Sequence, residues 1–278
     1  MTTFEDLKSL AAGVADGALV ALAPDYSWVP MALVRALIRR GVKDLQMLAV
    51  PIGGMAADLL IGAGAVSTLE AAAVSLGEAG PAPRFTVAVQ SGALTMRDTT
   101  CPAIHTALQA SEKGVPFMPL GGLIGSDLVA HRADWKVVDD PFAEGGDKGE
   151  GEGGGPIVLL PAIKPDVALF HSPKADKYGN VWIGRRRELM TMAHASARTL
   201  VTVEAIEDRD FLADEDTAAG TLAALYVTAI AEAKNGAWPL GLTGHYDRDA
   251  DHIRAYAAEA KTEDGFRAYL DREVLGPS

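Results

Sequence analysis

Residues 165–180 read Pro-Asp-Val-Ala-Leu-Phe-His-Ser-Pro-Lys-Ala-Asp-Lys-Tyr-Gly-Asn. An apolar run, residues 167–170, delivers His171 and is followed by a turn built from Asp176, Gly179 and Asn180. A run of this length bounded by Pro, Asp or Lys suits a strand buried on both faces, as parallel sheets require. Residues 19–23, 45–50, 157–160 and 200–203 repeat the pattern. Helical spacing lies between them. Pro30 opens one helix, with Met31, Val34, Leu37 and Ile38 apolar; Arg35, Arg39 and Arg40 fall towards its end, where the dipole favours cations, and Gly41 closes it. A second helix spans 102–113 and stops at Gly114. This alternation predicts a three-layer α/β/α domain on a mainly parallel sheet.

The chain has 278 residues, of which 49% are hydrophobic and 22% charged. Those values exclude global disorder and provide for a sizeable core, predicted as one domain over 1–278. A formal net charge of −12 argues against nucleic acid, whose backbone needs a cationic face. Cys101, the single cysteine, rules out an internal disulfide and a Cys-rich zinc site and points to a reduced, cytoplasmic compartment. It reads as a small buried residue more readily than as a nucleophile at a helix start. No secretory leader is expected, because Glu5 and Asp6 precede Lys8, and no apolar run is clean enough for a membrane span. Residues 145–156, glycine-rich and without a Gly-Lys-Ser/Thr ending, read as a flexible surface loop. From about 246 to 275, Ile253, Tyr256, Ala257, Ala260, Phe266 and Tyr269 recur at helical spacing, predicting terminal helices.

Chemistry concentrates at the carboxyl ends of the strands, where open α/β sheets bind ligands. The run 45–50 leads to Gly53 and Gly54, whose N–H groups a ligand anion can approach, although a plain tight turn fits them equally. A second glycine-rich loop contains Gly122 and Ser126. The runs 167–170 and 200–203 deliver His171 and Glu204. The six histidines form no ligand pair, so no metal is expected. The acidic stretch Asp247 to His252 lacks the glycine and terminal glutamate of a calcium loop and reads as a helix start.

Taken in order, these motifs resemble the α (A-type) chain of the heteromeric, family I coenzyme A transferases of the glutaconate type. The resemblance spans roughly 16–206. It is carried by Asp16-Gly17, the helix from Pro30, Gly53-Gly54, Asp58-Leu59-Leu60, residues 114–119 and Gly125-Ser126. The stretch 165–171 with Ala175-Asp176-x-x-Gly179-Asn180, then Val203-Glu204, carries it furthest. It implies the CoA-transferase-like α/β/α fold, shared by analogy with sugar-phosphate isomerases. It also implies ping-pong chemistry: a glutamate attacks an acyl-CoA thioester, becomes an enzyme–CoA thioester, and passes CoA to a second carboxylate. In the family that glutamate sits in a Glu-Asn-Gly context on the B subunit. No such context occurs here, and neither Glu78 nor Glu204 has that setting. No catalytic residue is therefore assigned to this chain. A B-type partner (expected as α2β2), coenzyme A as substrate and no tightly bound cofactor follow.

The expected substrate contacts are Gly53, Gly54, Ser75, Gly122, Ser126 and His171, with Asp176, Gly179 and Asn180 shaping the turn. The loop 23–29 departs from the family, many of whose α chains have a Gly-Gly-Phe-type loop there. Related ring-opening hydrolases place an acidic residue near Cys101 and an arginine near Gly121, and neither is present. A ring-opening acyl-CoA hydrolase and a non-catalytic acyl-CoA-binding chain are the alternative functions.

Overall fold

The computed structural model describes residues 2–143 and 155–276. Its principal strands are β1 (Thr3–Glu5), β2 (Leu19–Leu22), β3 (Leu45–Ala49), β4 (Val66–Ala71), β5 (Thr95–Asp98), β6 (Val167–Asp176), β7 (Arg198–Glu207) and β8 (Ala229–Glu232). They hydrogen-bond in the order β1-β8-β7-β6-β2-β3-β4-β5, and every pairing along that order is parallel. Two short strands, Val181–Trp182 and Thr221–Leu222, hang antiparallel from β6. The main helices are α1 (Leu7–Ala12), α2 (Met31–Arg40), α3 (Met55–Gly62), α4 (Pro83–Ser91), α5 (Cys101–Glu112), α6 (Arg187–Ala195), α7 (Ala250–Glu259) and α8 (Glu263–Tyr269).

Alternation along β2 sorts the helices into layers. Val20 and Leu22 join a core built with α1, α2, α3, α7 and α8. Ala21 joins the opposite core, built with Ile104 and Leu108 of α5 and Leu189 and Met192 of α6. Both faces of the sheet are therefore covered, which is why its strands read as unbroken apolar runs. The terminal helices belong to the first core through Ile253, Tyr256, Phe266 and Tyr269. Asp58, wholly buried, accepts from the Tyr256 hydroxyl at 2.6 Å and from the Phe85 N–H at 2.7 Å. It thereby ties α3 to α4 and α7. The acidic run before α7 is its cap: the Asp249 carboxylate accepts the His252 N–H at 2.9 Å.

The structure corrects one expected parallel strand. Residues 157–160 lie within Pro156–Pro161, the central strand of a separate antiparallel sheet between Phe117–Leu120 and Lys136–Asp139. Only Val158 and Leu160 are buried there, beside Trp135, Leu123 and Ala103. A run this short is apolar enough for either sheet, and burial on alternate residues marks the antiparallel one. The glycine-rich stretch expected as a loop lies outside the described residues over 145–154. Among the described residues no helix is long and apolar enough to cross a membrane.

Candidate functional site

The chain winds outward from β2 in one direction through β3, β4 and β5, and later from β6 in the other. β2 and β6 are neighbours, so the crevice beyond their carboxyl ends is the topological switch point, where such sheets take their ligands. β6 and β7 each run for 10 residues, and their mutual pairing continues past the end of β2. The His171 N–H, just beyond that end, donates to the Trp28 carbonyl at 2.7 Å. Beside this step lies a cleft of about 630 Å³, lined among others by Asp25, Tyr26, Gly53, Ser75, Tyr246 and Arg248.

The anion seat expected at Gly53-Gly54 is already filled from within the chain. Asp25, on the loop after β2, accepts the Met55 N–H at the start of α3 through Oδ2 at 2.7 Å. Gly54 makes this possible: a Cβ there would lie 2.0 Å from Asp25 Oδ2. Oδ1 is buried and has no hydrogen-bond partner among the described residues. Burial pushes the Asp25 carboxyl up to about 6, against the opposing pull of the α3 N–H groups and Arg248. The proton is thus held more tightly in the folded chain than in the unfolded one. The stability this contributes is complete below about pH 4 and drains away as pH rises through about 6. Asp25→Asn, which cannot ionise, is expected to gain about 1–2 kcal/mol over the parent between about pH 4 and pH 7. Urea unfolding at the two pH values measures it.

A second construction holds the opposite wall. Glu204, on β7, receives N–H bonds from Asn235 at 2.8 Å and Gly236 at 3.0 Å, and the Tyr246 hydroxyl at 2.9 Å. His171 Nε2 faces the same carboxylate at 3.0 Å, and Nδ1 faces Thr202 Oγ1 at 2.8 Å. An ionised carboxylate only accepts, so Nε2 carries the proton and Thr202 donates to Nδ1. Burial lowers the His171 pKa and keeps the ring neutral. Burial disfavours the Glu204 charge, but the His171, Asn235, Tyr246 and Gly236 hydrogen bonds outweigh it and take the carboxyl down to about 2. The stretch from Asn235 to Tyr246 is therefore clamped onto the end of β7, and Arg248 follows it into the cleft wall.

A coenzyme A transferase family model matches residues 4–233, which include β2, the loop that carries Asp25, β6 with His171, and β7. The chain belongs to the coenzyme A transferase family. Over 270 residues it is 30% identical to the A subunit of the 3-oxoadipate CoA-transferase of Pseudomonas knackmussii, a match covering 95% of this chain and 90% of that one. It is 29% identical to the cholesterol ring-cleaving hydrolase IpdA subunit of Rhodococcus jostii, covering 89% of this chain and 83% of the relative. An uncharacterized protein of Archaeoglobus fulgidus is 31% identical over 89% of the chain, which spans only 53% of that relative. Among solved structures, glutaconate coenzyme A-transferase from Acidaminococcus fermentans superposes with a TM-score of 0.88 at 26% identity, covering 99% of this chain and 89% of the other. A cysteine-to-serine variant of the decarboxylase AibA/AibB superposes at 0.83 and 28% identity, covering 98% and 100%.

Within this coenzyme A transferase chain, the residues expected to contact substrate are spread over three places. Gly53 and Ser75 line the cleft, with the Ser75 Oγ accepting the Gly77 N–H at 3.1 Å, while Gly54 lies beneath Asp25. His171 is wholly buried, with its two ring nitrogens facing Thr202 and Glu204. Gly122 and Ser126 belong to the segment after Phe117–Leu120 and are absent from the cleft lining; the Ser126 hydroxyl donates to the Leu123 carbonyl at 2.7 Å. Asp176 accepts the Tyr178 and Asn180 N–H groups and the Asn180 amide, and Gly179 sits at φ +90°. Cys101, expected buried, is exposed in the first turn of α5, because Thr100 caps that helix through the Ala103 N–H. Nothing local in the sequence marks Tyr246 and Arg248; the long-range clamp brings them in. Asp25 has a usable signal, as the first carboxylate after a strand end.

Proposed function

We propose that this chain is the α partner of a heteromeric acyl-CoA:carboxylate CoA-transferase, completed by a B subunit that supplies the nucleophilic glutamate. One observation carries this reading. Among the described residues no glutamate lines the cleft, and Glu204, beside it, is held by four donors and stays ionised far below neutrality. Three of those donors converge on Oε1 and the Asn235 N–H holds Oε2. A carboxylate so stabilised and so fixed in place is a poor nucleophile towards a thioester carbonyl. The incoming glutamate would add to that carbonyl and expel CoA thiolate, which attacks the resulting anhydride and releases the first carboxylate. The enzyme–CoA thioester then reacts with the second carboxylate in reverse order. Coenzyme A is a passing substrate, and an α2β2 assembly in a reducing cytoplasm fits both the family pattern and the single exposed cysteine.

The test is reconstitution. The chain alone is expected to show no CoA exchange between an acyl-CoA and a free carboxylate. Mixed with a B-type chain carrying Glu-Asn-Gly, it is expected to exchange, and borohydride should trap the glutamyl thioester on the partner. Full exchange by the isolated chain would refute the reading. The similarity to a ring-cleaving hydrolase subunit favours water as acceptor in the alternative. Free CoA formed without any carboxylate acceptor would select it, and CoA-thioester binding without either reaction would leave a non-catalytic chain.

A further inference from the structure

Arg186, the residue before α6, touches two walls of the cleft. Its guanidinium carbon lies 3.7 Å from the centre of the Trp28 ring, and Nη2 donates to the Thr243 hydroxyl at 2.7 Å. Trp28 follows Asp25 and Tyr26 on the loop after β2, while Thr243 belongs to the wall 240–248 that Glu204 clamps. Two residues on, the Glu188 carboxylate accepts the hydroxyl of buried Ser27 and supports the Arg186 charge against its burial. The start of α6 thus grips two neighbouring residues of one wall and reaches the other with a single side chain. Three local costs meet at this junction. Trp28 is held in the left-handed region, at φ +59°. Its buried indole N–H has no hydrogen-bond partner among the described residues, and neither has Arg186 Nε. Costs of this kind persist where the surroundings hold a geometry that function needs.

We propose that Arg186 is a positioning residue that straps the two walls together, sets the width of the cleft, and so makes the chain select acyl groups by bulk. This rests on the CoA-transferase reading and adds what limits its substrate range. The loop 23–29 is where the chain departs from the family, and its Tyr26-Ser27-Trp28 segment gives the guanidinium a ring to lie on. An ammonium is a point charge, whereas the planar guanidinium stacks on the ring and keeps an N–H in its own plane for Thr243. With the strap fastened the walls do not part, and an acyl group too broad for the cleft is refused rather than accommodated.

Hydrogen–deuterium exchange of the full chain, read by mass spectrometry, tests the strap without any substrate. The reporters are peptides that contain the Ser27 N–H on one wall and the His245 and Tyr246 N–H groups on the other, each bonded to a carbonyl of its own loop. Arg186→Met is expected to speed deuterium uptake in both reporters at least about tenfold, with β2 and β6 unchanged. Thr243 is exposed, so Thr243→Val removes the bond at little risk to folding; it should speed the second reporter by as much, while Thr243→Ser, which keeps the hydroxyl, should leave it slow. A second arm measures CoA transfer alongside a B-type chain from butyryl-CoA and from 4-phenylbutyryl-CoA. Arg186→Met and Thr243→Val are each expected to raise kcat/KM for the phenyl substrate relative to butyryl at least about tenfold, mainly through KM. A merely structural contact would leave that ratio alone. Parental deuterium uptake in Arg186→Met, or faster uptake with an unchanged substrate ratio, overturns the proposal. A parent chain that transfers no CoA alongside its partner sinks the functional reading instead, and the strap is then decided by deuterium uptake.

Discussion

Glu204→Ala is expected to destabilise the chain by about 3 kcal/mol, roughly a 5 °C fall in Tm for a chain of this length, and to abolish activity in the assembled enzyme. The carboxylate is the shared acceptor of two backbone N–H groups, a phenol and an imidazole. Removing it leaves the His171 Nε2–H buried with no partner, and an orphaned buried donor costs more than the bond it made. The segment from Asn235 to Tyr246 loses its anchor at the same time, and with it Tyr246 and Arg248 leave the cleft wall. Glu204→Gln separates charge from shape. Its amide oxygen can still accept from His171 and Tyr246, but its amide nitrogen meets the Asn235 N–H head-on, so an intermediate loss is expected. Differential scanning calorimetry on both variants, with CoA exchange alongside a B-type chain, measures the two effects. A Glu204→Ala chain with parental Tm and exchange activity would show that the clamp is ornamental.

Gly54→Ala is expected to be the most damaging methyl addition at the site, at about 3 kcal/mol or more. The new Cβ would sit 2.0 Å from Asp25 Oδ2 and 2.2 Å from its Cγ, a separation no contact tolerates. Asp25 can retreat only by giving up the Met55 N–H. The cost is therefore expected to fall sharply in the Asp25→Gly/Gly54→Ala double variant, which makes room for the methyl. A double-mutant cycle on unfolding free energies should give a coupling above about 1 kcal/mol. A coupling near zero would mean that the methyl group is accommodated elsewhere.

Much of the architecture is legible in the residues because burial on both faces leaves an unmistakable trace. The apolar starts of β2, β3, β6 and β7 and the ends of α2 at Gly41 and α5 at Gly114 all stand out in this way. β4 and β5 are harder to read, since Ser67, Thr68, Glu70, Arg97 and Asp98 interrupt their apolar residues and Glu70 and Arg97 turn towards Arg132 and Asp134. The apolar runs mark less than half of β6 and β7. The outer halves of these strands, Ser172–Asp176 and Glu204–Glu207, mix polar residues with Ala175 and Ile206 and pair with each other beyond the end of β2. At the site, the strand-end rule locates His171 and Glu204 correctly along the chain. It does not say that they face one another instead of a ligand, since that depends on a loop about 30 residues downstream. Gly53-Gly54 carries the signature of an anion seat, and Asp25 can be picked out as the first carboxylate after a strand end, but its filling a seat almost 30 residues further on depends on the fold and not on any local pattern.

That internal anion has a consequence for how coenzyme A can lie. A helix start that already carries its own carboxylate has no vacancy for a diphosphate, and evicting Asp25 would strand a buried carboxyl group without its hydrogen bond to the Met55 N–H. On the proposed transferase reading, the diphosphate of the CoA thioester is therefore expected away from the start of α3, where the paired glycines serve the chain's own fold and not the carrier.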